Sequence, residues 1–217
     1  SNKQVDSRTR LLAIELLKKA AIKKKGVYIS TTGVYGNKNG NKTSETSRCS
    51  PTNNRSLRRL DAETKIRKLN FHILRVPGIY SINRLPMQRL LKKIPVLQKE
   101  EDVYTNHIHE SDLARAAYLA LFRGRRSRIT NVVDNSDLKM SDYMDLVASA
   151  TGLEKPDRAS LAKLNQLATK GLISNMAMSF LQDSRKVKSE RLVKELGLNL
   201  IYPTVQDFVN KNRQQLS

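Results

Sequence analysis

Val27-Tyr28-Ile29-Ser30-Thr31-Thr32-Gly33-Val34-Tyr35-Gly36 is the stretch on which the reading of this chain turns. Val27 to Ser30 is a β-branched and aromatic run too short for a helix, and Gly33 and Gly36 interrupt the residues after it, so a short buried strand entering a hydroxyl-rich turn is predicted. Upstream, Leu11, Ile14, Leu17 and Ala21 form one helical stripe and Leu12, Leu16 and Ala20 a second. A deeply packed helix from Arg8 to Lys25 is therefore expected, closed by Lys23 to Lys25 and Gly26 at its carboxyl end. Helix followed at once by buried strand is an α/β rhythm.

Downstream the rhythm repeats. A turn-rich loop through Gly36, Asn37, Asn39, Gly40 and Asn41 leads to a helix from about Asn54 to Leu69, then a strand from Phe71 to Val76 stopped by Pro77-Gly78. Next come a short helix from Met87 to Lys93, a strand from Tyr104 to His109 and an apolar helix from Leu113 to Phe122. Ser111 is the expected N-cap of that last helix, with Asp112 at its positive end. Ile129 to Val133 reads as another strand, and Ser141 as the cap of a helix ending at Gly152. Beyond Gly152 strand signals fade. A mostly helical remainder closes with Tyr202-Pro203-Thr204 and a last helix from about Val205.

Composition narrows the function classes. The chain has 217 residues, 39% of them hydrophobic, with no run approaching the roughly 18 apolar residues of a membrane span. The early lysines come after the first apolar stretch, which is the wrong order for a signal peptide, and a cytoplasmic protein is expected. Cys49 is the single cysteine, which excludes an intrachain disulfide and reads as a loop thiol. Forty Lys plus Arg against twenty Asp plus Glu give +20. The basic residues recur in almost every predicted helix, including Arg185 to Lys194, and aromatic residues are few. They read as solvated faces, so any nucleic-acid contact is expected to be weak and sequence-independent.

The motifs carry a resemblance. Ser30-Thr31-Thr32-Gly33-Val34-Tyr35-Gly36 resembles the strand-end motif of extended short-chain dehydrogenases/reductases, and four more segments occur in that family's order. They are Glu45-Thr46 with Pro51 and Ala62-Glu63; Leu74-Arg75-Val76-Pro77-Gly78-Ile79-Tyr80, with Ser81 where the family usually has glycine; Asn106-His107-Ile108-His109-Glu110-Ser111-Asp112-Leu113-Ala114; and Glu195-Leu196-Gly197 near the end. Asn131-Val132-Val133 is similar to a late family strand. The closest likeness is to an atypical NAD-dependent epimerase/dehydratase-like branch.

The resemblance implies the C-terminal part of a Rossmann-like doubly wound parallel sheet with a smaller, mostly helical C-terminal lobe. Residues 1–135 would form a partial NAD(P)-binding domain and 136–217 a substrate-binding lobe, with interleaved boundaries. It implies NAD or NADP as cofactor and a small-molecule substrate of the sugar or nucleotide-sugar kind. Thr31 takes the position that bonds the reacting oxygen, and Tyr35 is the nearest remaining phenol. Arg55 and Arg59 stand where the family has its proton-transferring Tyr and Lys. Ser30, Val76, Pro77 and Ile79 fall on cofactor-binding positions, and Thr32, His107 and His109 on substrate-binding ones. Arginine keeps its proton near neutral pH, so it can clamp an anion but cannot act as general acid or base. A non-catalytic nucleotide-binding scaffold is the second class, and a nucleic-acid binder the third.

No G-x-G-x-x-G occurs among the nine glycines. Either the chain is a fragment of a longer protein or the pyrophosphate grip is absent. Weak cofactor binding by these 217 residues is expected in both cases. His107 and His109 share a strand face by alternation, but no third ligand is evident and no metal is expected. His72 reads as a core or edge residue.

Overall fold

The structure, a computed structural model, describes residues 4–18 and 25–216. Its strands are β1 (Val27–Thr31), β2 (Lys42–Thr43), β3 (His72–Val76), β4 (Gly78–Tyr80), β5 (Val96–Leu97), β6 (His107–His109), β7 (Ile129–Asn131), β8 (Arg158–Ala159) and β9 (Lys186–Val187). The helices are α1 (Ser7–Lys18), α2 (Asn54–Arg67), α3 (Met87–Leu91), α4 (Glu110–Arg123), α5 (Met140–Ala150), α6 (Leu161–Thr169), α7 (Asn175–Phe180), α8 (Arg191–Leu196), α9 (Val205–Lys211) and α10 (Arg213–Leu216).

The main sheet runs β1-β3-β7, all parallel, with Tyr28 opposite Ile73 and Arg75 opposite Asn131. Three two-stranded ladders, β2 with β9, β4 with β6 and β5 with β8, are parallel as well. Parallel pairing requires crossovers, and α2 and α4 supply them. Alternation along β3 sorts its residues: Leu74 and Val76 pack with Ala116 and Ala120 of α4 and with Leu192 and Leu196 of α8, while Arg75 points to Glu63 of α2. β3 is buried at every position, the mark of a central parallel strand.

Two further cores make the smaller, helical part. Tyr80, Leu90, Val96, Met144, Val147 and Phe208 join β4, α3, β5, α5 and α9. Leu97, Val103, Leu164, Ile173, Met178 and Leu181 hold α6 and α7 against β5. Segments of the smaller part alternate along the chain with segments of the larger one, since α8 returns to the main sheet.

Several sequence expectations are corrected. α1 is not deeply packed: Ala13 is its one buried residue among those described, while Leu11, Leu12, Ile14 and Leu17 are exposed. The predicted last turn, with Ala20, Ala21 and Lys23, lies outside the described residues. β1 is not fully buried either, and Ile29 is 41% exposed. Among the described residues β1 pairs only with β3, which leaves its outer side open, and α1 packs against α2.

Ser111 does not cap α4. His109 does, accepting the Ser111 amide at 3.2 Å, and Asp112 instead accepts the Ile201 and Tyr202 amides at 2.9 and 3.1 Å. Ser141 lies too far in to cap α5, and both its amide and its hydroxyl donate to Asp102. Thr204 does cap α9, with Asp207 completing a capping box. The strand forecast for Tyr104 to His109 shortens to His107–His109, and that for Ile129 to Val133 to Ile129–Asn131. No helix of the described residues is long and apolar enough to cross a membrane.

Candidate active site

A cleft of about 530 Å³ opens at the carboxyl ends of β1 and β3, the place where open parallel sheets bind ligands. One wall is made by Thr31, Thr32, Gly33, Pro77, Gly78 and Ile79, with Asn53, Arg55 and Ser56 from the start of α2. The other comes from the smaller part, with Arg84, Arg89, Tyr143, Phe180 and Arg185 among its residues, and Tyr104 to His107 run between them.

The first wall is built on a saturated polar network. Thr31 Oγ1 accepts the Gly33 amide at 3.1 Å and so caps the 3-10 turn Thr32–Tyr35. That bond uses the oxygen as acceptor and leaves the hydroxyl proton for a ligand in the cleft. A side chain at Gly33 would come 2.8 Å from Ser56 Oγ, so glycine allows the turn to sit on α2. Behind it, Ser30 Oγ donates to Glu63 Oε1 at 2.6 Å, and Arg75 grips the same carboxylate twice, at 3.1 and 2.7 Å. Tyr35 Oη donates to Asn131 Oδ1 at 2.7 Å with the Arg75 guanidinium 4.7 Å above its ring. Glu45, from the Glu45-Thr46 motif, accepts the amides of Asn131, Glu190 and Arg191, joining β7 to the start of α8.

The second wall is different. Arg89 Nε, Arg185 Nε and His107 Nδ1 are buried without a hydrogen-bond partner. So are Tyr80 Oη and Asp134 Oδ2 beneath the cleft. Burial pulls His107 down to about 3, so its ring is neutral at physiological pH. Burial pushes Asp134 up to about 7 against the Ser136 amide, which its Oδ1 accepts at 2.9 Å, with Asp112 adding to the rise. Tyr143 stacks on His107 with ring centroids 4.1 Å apart, and burial with the nearby Asp134 raises its phenol well above the ordinary value.

Thr31, Thr32, Arg55, Pro77, Ile79 and His107 of the sequence-derived candidates share this cleft. Ser30, Tyr35, Arg59, Val76 and His109 are not part of its lining. Tyr35 is fully buried, and burial raises its phenol in spite of Arg75. Arg59 donates to Tyr28 Oη at 3.0 Å. His109 packs against Tyr80, Tyr202 and Phe208. His72 is a core residue, bonded to Thr130 Oγ1 and the Arg125 carbonyl. Among the described residues no three His, Cys, Asp or Glu side chains are placed to hold a metal.

Arg84, Arg89, Tyr143 and Arg185 belong to the cleft and were not singled out from the sequence. Arg185 was grouped with the solvated basic faces, whereas it is 8% exposed and anchored to the Gly36 carbonyl at 2.9 Å. An acid placed just after a late strand, as Asp134 is, was the one legible hint of polar groups under this wall.

The fold, a parallel sheet with a cleft at its carboxyl edge and a helical part closing over it, is similar to that of the extended short-chain dehydrogenases/reductases. The comparison with solved structures agrees. A functionally unknown conserved protein from Silicibacter pomeroyi DSS aligns with a TM-score of 0.84 and 26% identity over 99% of this chain and 74% of that one. UDP-glucuronic acid 4-epimerase from Bacillus cereus, in complex with NAD, aligns at 0.68 and 15% identity over 96% of this chain and 66% of its own. Human epimerase family protein SDR39U1 with NADPH gives 0.74 and 16% identity over 96% and 72%. No protein-family model and no curated protein matches the sequence.

Proposed function

We propose that the protein is an NAD(P)-linked oxidoreductase or epimerase acting on a sugar or nucleotide-sugar-like molecule in this cleft. The observation that carries the reading is Thr31, whose hydroxyl lies at the carboxyl end of β1 in the cleft that Arg55 also lines, with its acceptor lone pair already engaged by Gly33. The fold's NAD and NADPH complexes support the cofactor class. Residues 1–135 would carry the cofactor side and 136–217 the substrate side, with Arg84, Arg89 and the β4–β6 region crossing that division. A cytoplasmic location belongs to the same reading.

The residues present fit the nicotinamide end of such a cofactor. Pro77 and Ile79 border the cleft together with Thr31, and Gly78 and Ile79 are held in place by the pairing of β4 with β6. A glycine-rich grip for the pyrophosphate is not found in the sequence. When bound, the nicotinamide supplies hydride exchange. Thr31 donates a hydrogen bond to the substrate oxygen as it gains charge. Arg55 holds an anionic group of the substrate and moves no proton. Arg59 and Tyr35 act from behind, through Tyr28 and Asn131.

The test is kinetic. Thr31→Val is expected to lower kcat by on the order of a hundredfold with cofactor affinity little changed, and Arg55→Ala to act mainly on the substrate KM. Turnover indifferent to Thr31→Val would remove the role given to Thr31, and absence of turnover altogether would leave the alternative of a nucleotide-binding scaffold without catalysis, which the replacement of the Tyr and Lys positions by Arg55 and Arg59 favours.

A further inference from the structure

We propose that Tyr143 passes the proton to and from the reacting oxygen in the cleft, a role that Arg55 cannot fill. The proposal rests on the reading of the cleft as a redox site and names the group which that reading leaves out.

Hydride transfer to a carbonyl requires a proton at the oxygen, and the wall of Thr31, Asn53, Arg55 and Ser56 has no group to release one. Thr31 can donate a hydrogen bond, but an aliphatic hydroxyl keeps its proton, and so does a guanidinium. Apart from arginines, the side chains of the lining that titrate are Tyr104, His107, Tyr143 and Asp183. Asp183 is engaged by Arg185 at 3.2 Å. His107 is neutral, its Nδ1 is buried and its Nε2 lies 3.4 Å from Thr105 Oγ1. Tyr104 is half-buried, and its ring carries the ammonium groups of Lys186 and Lys139 at 4.0 and 5.9 Å from the centroid. Tyr143 remains. It is buried, it lines the cleft, and its hydroxyl makes no hydrogen bond among the described residues.

The strand segment that sets Thr31 also sets Tyr143. Thr31 stands opposite Val76 in the parallel register of β1 and β3. Two residues on, Gly78 stands opposite His107 in the pairing of β4 with β6, and the His107 ring lies against that of Tyr143 with centroids 4.1 Å apart. Both hydroxyl-bearing residues are therefore anchored to Val76–Gly78, one through the sheet and one through His107 from α5. An oxygen held between them accepts from Thr31 and exchanges its proton with Tyr143. Burial, with Asp134 nearby, raises the phenol, so it is protonated at neutral pH and acts more readily as acid than as base. In the reducing direction the carbonyl carbon gains hydride from a reduced nicotinamide, the C=O electron pair moves onto oxygen, and the Tyr143 O–H bond breaks to protonate it. The products are the alcohol, the oxidised nicotinamide and a tyrosinate, which water in the cleft reprotonates. Oxidation of an alcohol is the reverse and needs the tyrosinate.

The experiment places fluorinated tyrosines of graded acidity at position 143, with UDP-glucose as probe and reduction of excess NAD as the assay. In the cofactor-free protein the fluorine resonance is expected to move along the UDP-glucose binding isotherm. In turnover, kcat should rise with the acidity of residue 143, because more of it is ionised at a given pH and able to take the alcohol proton. Tyr143→Phe should lower kcat by on the order of a hundredfold or more with KM little changed. Phenylalanine keeps the ring against His107, so the Tm of this variant should match that of the wild type, which guards against loss of turnover through misfolding. Tyr118→Phe, at an exposed position of α4, should change nothing. Turnover retained by Tyr143→Phe, a kcat independent of acidity at 143, or UDP-glucose that binds by calorimetry without moving the resonance would each overturn the proposal. A wild-type protein that binds no UDP-glucose or reduces no NAD would instead sink the reading of the cleft as a redox site, and the role of Tyr143 with it.

Discussion

The two walls of the cleft treat their buried polar groups in opposite ways. On the sheet side Ser30, Glu63, Arg75, Tyr35, Asn131 and Glu45 satisfy one another through bonds of 2.6–3.3 Å. On the other side Arg89, His107 and Arg185 each keep an unpartnered buried nitrogen, with Tyr80 Oη and one carboxylate oxygen of Asp134 unpartnered below them, its other oxygen accepting the Ser136 amide at 2.9 Å. A closed network is rigid because moving any member leaves a desolvated partner behind. An open one retains binding capacity. The sheet side therefore serves as a frame that fixes Thr31, and the opposite side keeps its hydrogen-bonding capacity open.

Breaking the frame should have the largest effect. Glu63→Gln leaves the Arg75 guanidinium buried without its counter-charge and is expected to cost about 3–5 kcal/mol in urea denaturation. A loss below about 1 kcal/mol would mean the frame is no more rigid than the opposite wall. Next comes Gly36→Ala. Gly36 has φ of +69°, and a Cβ there would lie 2.1 Å from the Ser50 carbonyl. The turn must shift, and a cost of roughly 2 kcal/mol or more is expected, together with release of Arg185 from the Gly36 carbonyl.

The frame was largely legible in the sequence and the opposite wall was not. β1, β3 and the 3-10 turn carry period-two or turn chemistry that local sequence encodes, so Thr31 and the Pro77 loop could be placed by motif. Burial was misjudged where it depends on neighbours: α1 has a wide apolar stripe, yet it packs against α2 with Leu11 and Leu12 exposed. Caps failed for a related reason. Ser111 and Ser141 have capping chemistry, but His109 and a distant Asp102 took the available amides. Arg185 lies 149 residues from its Gly36 partner, and nothing local distinguishes it from the cations around it.

The unsatisfied wall should reveal itself through pH. In the fold Asp134 keeps its proton up to about 7, whereas its ordinary value is 3.8. Between these values the native state holds the extra proton, so stability falls as pH rises through the window. His107 works in the other direction, because burial takes it from 6.5 to about 3 and stability is lost as pH falls through that range. The contributions oppose each other between about pH 4 and 6.5, and a wild-type profile alone would look flat there. Asp134→Asn separates them. Relative to wild type it should be increasingly stabilising from about pH 4 to 7 and level above, reaching roughly 1–3 kcal/mol, since His107 cancels in the difference. A difference independent of pH would mean that Asp134 is ionised in the fold as readily as in the unfolded chain.

The smallest effect tests whether Thr31 belongs to the frame, to the ligand, or to both. Its Oγ1 accepts the Gly33 amide, the geometry of an N-cap, and replacing such a cap costs about 1 kcal/mol. Thr31→Val removes both the cap and the hydroxyl donor, whereas Thr31→Ser removes only a methyl group. If Thr31 were a cap alone, the unfolding free energies of the two variants in urea would differ by about that amount and turnover would track the folded fraction. With the hydroxyl proton also directed to a ligand, Thr31→Ser is expected to retain most of the turnover, and Thr31→Val to lose it at temperatures where both proteins remain folded. Equal turnover of the two variants per folded molecule would assign Thr31 wholly to the frame and leave the reacting oxygen to groups on the opposite wall.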